Sequence, residues 1–470
     1  MPHLYISATR QTSGKTAVSI GLVAALTARG VVTQPFKKGP DYIDSMWLGR
    51  AADRSCINLD FHTMSTDCIS ATFARYTASA QIAVIEGTRG LFDGLDLDGK
   101  DSNAALAKQL NAPVVLVIDC KGMTRGIVPL LLGHIHFDPQ VAIAGIILNN
   151  LGGTRHEAKL RAALSRYTEL PVLGAIPNDP RMELTMRHLG LMPSNETQDV
   201  ESRIADLRAC VESHVDIDAL LAIAHKSSAP MYHPQAQPQR QPPAPVRVGI
   251  ARDSAFGFYY PDDLERLREA GAELIPINML RDKHLPVIDG LLIGGGFPET
   301  HLAELQANTT LRDEIRSAIE AGLPCYAECG GLMYLSRSIA WKGTIFDMAG
   351  ALPGEIVMHA RPVGKGYTRL EETRDHPWGS LSTSEHPQIF NAHEFHYSSI
   401  QGLPADTRFA FRIHRGVGVN GTHDGIVHNN LLACYCHLRD VGGNQWTRRF
   451  VDFIRHHMGL AHTPDANAGG

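Results

Sequence analysis

Two hydrophobic patterns follow one another along the chain. In the first half, apolar runs at His3–Ala8, 81–86, 112–119, 141–149 and 173–176 read as strands. Between them lie stretches with apolar residues at helical spacing. One follows Thr16 with Val18, Leu22, Ala25 and Leu26; others cover 103–110 and 157–167. Strand and helix in alternation predict a mostly parallel sheet with helices on its faces. After Ala224 the pattern stops. Residues 226–245 are rich in Pro, Gln and Ser without any period, which reads as an extended linker. A second α/β pattern then begins, with strands expected at Val246–Ala251, 274–277, Gly290–Ile293, 325–327 and 431–436, and a helix at 262–270. The expected architecture is α/β: two doubly wound, mostly parallel-sheet domains at 1–225 and 246–460, joined by the linker 226–245.

Composition changes this picture little. With 470 residues, each half is long enough for its own core. A formal net charge of -5 argues against nucleic acid or a membrane surface as partner. No apolar run is long enough to cross a bilayer, and the N-terminus lacks a basic flank and an apolar core of signal type. A cytoplasmic protein is expected. The eight cysteines are scattered, as free thiols in a reducing compartment would be. Cys434-Tyr-Cys-His437 and His393-Glu-Phe-His396 have metal-ligand residues, but neither has a second half at zinc spacing, so no structural zinc is expected.

Candidate chemistry clusters at strand ends. The first strand runs into a polar loop ending Ser13-Gly14-Lys15-Thr16, and a helix follows. That is the setting of a phosphate-binding loop. Backbone N–H groups cradle phosphates, Lys15 neutralises them, and the Thr16 hydroxyl can ligate Mg²⁺. The first glycine of the usual motif is Thr9 here, and a plain helix cap is the alternative. Within 34–44, Lys37 suits an anion, while Asp41 and Asp44 suit Mg²⁺. Glu86 ends a strand beside the loop, as a Mg²⁺ ligand would. Asp93 follows in a glycine-rich stretch, and Asn149 ends another strand, where its amide could reach a base.

In the second half, Glu328-Cys329-Gly330-Gly331 joins a short strand to a helix. A thiol on such an elbow is exposed to substrate and favoured as thiolate by nearby N–H groups. A structural strand-end cysteine is the plainer alternative. Gly294-Gly295-Gly296 follows another strand, and donors from Gly295, Gly296 and Gly330 could flank an oxyanion. A thiolate needs a base. His437, at a strand end, is the expected partner, and His396 is its competitor; His393 lies nearby.

Taken together, these residues resemble the cobyrinic acid a,c-diamide synthase family over nearly the whole chain. The first half looks like a dethiobiotin-synthetase-type ATPase, through Ser13–Thr16, the Lys37-Lys38-Gly39-Pro40-Asp41-Tyr42-Ile43-Asp44 stretch, Asn58-Leu-Asp60, Glu86-Gly87 and Asp93-Gly94. The second half resembles a class I-like glutamine amidotransferase, through 255–260, 294–299, 328–335, 393–398 and His437. The resemblance implies Cys329 as glutaminase nucleophile and His437 as the residue that activates it. It implies ATP and Mg²⁺ at Ser13, Gly14, Lys15, Thr16 and Asn149, with Thr16, Asp41 and Glu86 as metal ligands. Lys37, Asp44, Asp93, His393 and His396 are candidates for the substrate. The implied reaction phosphorylates a peripheral acetate of a tetrapyrrole, and ammonia from glutamine then displaces phosphate. A water-excluding passage for that ammonia is implied as well.

The sequence departs from the family in places. Class I triads end His-x-Glu, but the third position here is Arg439, which fits a Cys-His dyad. Thr12 stands near a glycine common in relatives. Ser45-Met-Trp-Leu48 and Phe61-His-Thr-Met64 depart from the corrinoid pattern. They incline the reading toward the branch found with dissimilatory sulfite reductase, which amidates sirohaem, with cobyrinic acid the near-equal alternative. A rival is a partition-type ATPase switch whose amidotransferase-like half only binds; another is amidation of a small acid. The sequence leaves open the oligomeric state, monomer or homodimer.

Overall fold

The computed structural model describes residues 1–184, 186–187, 190–197, 199–227, 244–382 and 386–460. The chain divides into two compact units, Met1–Ala236 and Gln237–Gly470. Most of the expected linker, 228–243, lies outside the described residues.

The first unit is a seven-stranded sheet. Its strands are β1 His3–Ala8, β2 Thr33–Lys38, β3 Ile57–Leu59, β4 Ile82–Glu86, β5 Val114–Asp119, β6 Ile143–Leu151 and β7 Val172–Pro177. They lie in the order β3-β2-β4-β1-β5-β6-β7, and every pairing is parallel. A sheet covered on both faces needs strands apolar on both sides, which is why β1 and β4 are buried at every position. Helix α1, Lys15–Ala28, packs against the helix Val200–His214. The approach is close: a Cβ on Gly21 would come within 2.5 Å of Val211. The loop from β1 to α1 leaves the sheet at its carboxyl edge, next to the ends of β4, β5 and β6. Ligands of open α/β sheets bind at that edge.

The second unit holds a nine-stranded sheet. In spatial order its strands are Ala272–Ile277, Val246–Ala251, Gly290–Ile293, Cys325–Glu328, Leu431–Cys434, His423–His428, Arg408–Arg415, Gly364–Glu372 and Ile389–His396. The first five pair in parallel, as expected. The others pair antiparallel, so this sheet is mixed. Between His423–His428 and Leu431–Cys434 a short connection sets the direction, since a parallel partner needs a crossover of a dozen or more residues. His423–His428 and Leu431–Cys434 are joined through Asn429 and Asn430, with Asn429 at φ 51°. Asparagine tolerates this left-handed backbone, which a two-residue hairpin uses. Among the described residues, no helix is long and apolar enough to cross a membrane.

Candidate functional site

In the first unit, the loop after β1 is built to leave its backbone free. Gly14 sits at φ 87°, and a Cβ there would lie 2.1 Å from the Asn149 amide nitrogen. Only glycine fits both the conformation and that approach. Asn149 Nδ2 donates to the Ser13 carbonyl at 3.0 Å, so Asn149 supports the loop from beneath. Its Oδ1 is buried without a hydrogen-bond partner among the described residues. Ser13 Oγ donates to the Arg10 carbonyl at 2.9 Å, closing the turn. Thr12 adopts φ 62°, which explains a preference for glycine near this place.

Lys15 and Thr16 open α1 over a cluster of buried charges. Burial pulls the Lys15 pKa down and the Lys37 charge adds to this, against Glu86, Asp44 and Asp41. Thr16 Oγ1 donates to Glu86 Oε1 at 2.6 Å and to Asp44 Oδ2 at 3.4 Å. Lys37 is 1% exposed, with Nζ 2.6 Å from Asp44 and 3.1 Å from Glu86. Burial opposes its charge, but Asp44, Glu86 and Asp41 raise its pKa above the lysine range. Asp44 is partly buried, which opposes its charge, yet the Lys37 charge and hydrogen bond hold its carboxyl below the usual range. Burial and then Asp44 push Asp41 up to about 7.

Asp41 Oδ1 accepts the Asp44 N–H at 2.9 Å, and Thr16 Oγ1 reaches Asp44 and Glu86. Glu86 Oε2 is buried without a hydrogen-bond partner. One orphaned carboxylate oxygen beside a hydroxyl and a second carboxylate is a hard-oxygen donor set of the kind Mg²⁺ takes. Among the described residues, no group of three or more His, Cys, Asp or Glu side chains is set to hold a metal alone. Asp93 is exposed and caps its own loop, accepting the Gly90 N–H at 2.9 Å. Asn103, which the sequence reading missed, fixes the strand-end loop: it accepts from Thr88 N–H at 3.0 Å and donates to the Gly90 carbonyl at 2.6 Å.

In the second unit, Cys329 occupies a strained elbow at φ 48°, ψ -100°, between the strand Cys325–Glu328 and the helix Gly330–Leu335. No space remains around the turn. A Cβ on Gly331 would lie 2.2 Å from the Ile293 carbonyl oxygen, and one on Gly330 would lie 3.1 Å from Gly296 N. Gly330 and Gly296 therefore approach each other beside Cys329. Gly295 faces the base: its Cβ would come 2.7 Å from His437 Cε1. The glycine strand is fixed by the Tyr259 hydroxyl, which accepts the Gly294 N–H at 2.8 Å.

His437 shares a hydrogen bond with Cys329. Its Nδ1 lies 3.2 Å from Glu328 Oε2. Burial works against charge on this ring, yet the bonds to Cys329 and Glu328 raise its pKa to about 10. His393 stacks on it, with ring centres 4.9 Å apart at 16°, and the two backbones exchange hydrogen bonds. His396 is not the base. Its Nδ1 bonds the Ser398 carbonyl at 2.8 Å, its Nε2 lies 3.5 Å from Glu394, and the ring stacks on Tyr435 at 4.0 Å. Arg439 is buried too, held by Asp262 at 2.9 Å over the Tyr260 ring. Sequence reading gave Glu328 no role. The available signal was a charged residue at the end of an otherwise apolar strand.

Comparisons with known proteins agree with both geometries. Residues 247–441 match the family model of a CobB/CobQ-like glutamine amidotransferase domain, and residues 2–184 match that of an AAA domain. The chain is similar to the cobyrinate a,c-diamide synthase of Magnetococcus marinus, with 47% identity over 461 residues and 97% of each chain covered. It is 40% identical over 483 residues to that of Methanosarcina barkeri, covering 97% of this chain and 96% of the relative. With that of Archaeoglobus fulgidus it shares 38% over 452 residues, covering 96% and 97%.

Proposed function

The chain belongs to the cobyrinate a,c-diamide synthase family, and from that premise we propose that it amidates peripheral acetate groups of a tetrapyrrole, using ATP and glutamine. The observation that carries this reading is the Cys329–His437 pair in one unit together with the Lys15–Thr16 loop in the other. A free carboxylate resists attack by ammonia. Phosphorylation turns it into an acyl phosphate, whose phosphate is a good leaving group. Lys15 answers the negative charge of the transferred group, and the N–H groups around Gly14 hold the flanking phosphates. Mg²⁺ would be held by Thr16 and Glu86, with Asp44 adjacent, and when bound it neutralises phosphate charge. In the other unit, Cys329 attacks the glutamine carboxamide, and N–H groups of Gly296 and Gly330 steady the oxyanion, a role supported by their close approach at this turn.

Cobyrinic acid is the proposed acceptor, supported by what the relatives are called. Sirohaem is the second reading, favoured by the departures at Ser45-Met-Trp-Leu48 and Phe61-His-Thr-Met64. Incubation with ATP, glutamine and either acid, followed by mass measurement, separates them: each new amide lowers the mass by about one unit relative to the acid. Cys329→Ser is expected to abolish glutamine-supported amidation and keep the ammonia-driven reaction, while Lys15→Ala removes both. Equal loss of both activities in the serine variant would contradict the division of labour. ATP turnover indifferent to glutamine would favour a switch ATPase.

A further inference from the structure

We propose that Glu328, the residue just before the nucleophile, is the carboxylate that orients and charges His437 for glutamine hydrolysis. It takes the task of the third triad member, which Arg439 cannot perform. This inference rests on the reading of Cys329 as glutaminase nucleophile.

A base paired with a thiol must present the correct ring nitrogen and must be stabilised once it carries the proton. Both needs are met from one strand end. Glu328 Oε2 lies 3.2 Å from His437 Nδ1, which leaves Nε2 for Cys329. Oε1 is fixed in turn: it accepts the Tyr326 hydroxyl at 2.5 Å and the Leu438 N–H at 3.0 Å. Glu328 is 7% exposed, so its charge acts through little water. The other groups around His437 do not supply that charge. His393 stacks on the ring and shares a hydrogen bond of 3.4 Å with the Tyr260 hydroxyl. Arg439, two residues on, is cationic and is balanced by Asp262.

His437 Nε2 holds the proton taken from Cys329, and the thiolate sulfur bonds to the glutamine carboxamide carbon. The C–N bond breaks, and the nitrogen leaves as ammonia with the proton from His437. Water then hydrolyses the thioester to glutamate. Through this cycle Glu328 Oε2 holds the Nδ1 proton in place.

The Glu328→Gln variant separates this role from a structural one. Its amide oxygen still accepts from Tyr326 and Leu438, so a scaffold residue would tolerate it. Its amide nitrogen, however, would donate to Nδ1, forcing the proton onto Nε2 and leaving Cys329 without an acceptor. The readout is glutamate release from glutamine, which needs no acid acceptor, so failure of the amidation reading does not touch it. For Glu328→Gln we expect kcat to fall about 100-fold or more while KM changes less than about threefold. The alkaline limb of kcat/KM, where His437 loses its proton, should move down by about one pH unit or more. Glu328→Asp, which keeps the charge, should lie between parent and glutamine variant in both. A glutamine variant with near-parent kcat and an unmoved alkaline limb overturns the proposal. Should that variant not fold, the aspartate variant decides: a lowered kcat with its limb within about one unit of the parent's supports the role, and an unchanged kcat overturns it.

Discussion

Thr12 shows what a single backbone angle costs. Its φ of 62° lies in the left-handed region, where a β-branched side chain is strained by about 1–3 kcal/mol. Glycine removes that strain but has more freedom to lose on folding, roughly 0.5–1 kcal/mol. The balance favours glycine, so Thr12→Gly should stabilise the first unit by about 1 kcal/mol. Denaturant titration with and without the substitution checks it, and a lower midpoint would refute it. Cys329, at φ 48°, is the opposite case. There the strained conformation carries the reactive atom, and no such exchange is available. Its neighbours Gly331 and Gly295 are equally fixed, one by the Ile293 carbonyl and one by the His437 ring.

Strand β2 delivers its most consequential residue, Lys37, into the interior. A buried cation among carboxylates is not visible in a lone Lys-Lys pair, which reads as a surface anion site. Only the pairing of β2 with β4 brings Glu86 alongside Lys37. The same reason divides the rest of the fold into readable and unreadable parts. Parallel strands such as Val114–Asp119 are apolar on both faces, so their runs stand out. Gly364–Glu372 alternates between buried and exposed positions and is interrupted by glycine and charge, so its pattern is faint. The site glycines and Cys329 were legible because turns demand particular residues; Glu328 and Asn103 were not, because their partners are distant in sequence. For β2 the expected outcome is sharp. Lys37→Met should destabilise the first unit by about 3–5 kcal/mol near pH 8, since it removes the cation ion-paired with Asp44 and Glu86. In the parent, the depressed Asp44 pKa means stability that is present above the ordinary carboxylate range and lost only as pH falls through it. In the variant burial dominates, the folded carboxylates bind protons more tightly than the unfolded ones, and stability rises as pH falls. The deficit should therefore shrink toward pH 5, and melting curves at the two pH values measure it.

Each unit closes a core of its own. One cluster joins α1 to Val200–His214 and Ile217–His225, entirely within Met1–Ala236. The two clusters described in Gln237–Gly470 draw only on that unit. A unit with its own core and its own ligand can be stabilised alone, because a ligand adds free energy only to the folded form it binds. A non-hydrolysable ATP analogue with Mg²⁺, at about a hundred times its Kd, should stabilise the first unit by about 2.7 kcal/mol. For a unit of this length that is about 5–10 °C in melting temperature. Calorimetry should then show one transition displaced upward and the other unmoved, and Lys15→Ala should cancel the displacement. If both transitions rose together in the parent and neither depended on Lys15, the nucleotide would be acting elsewhere than on the loop after β1.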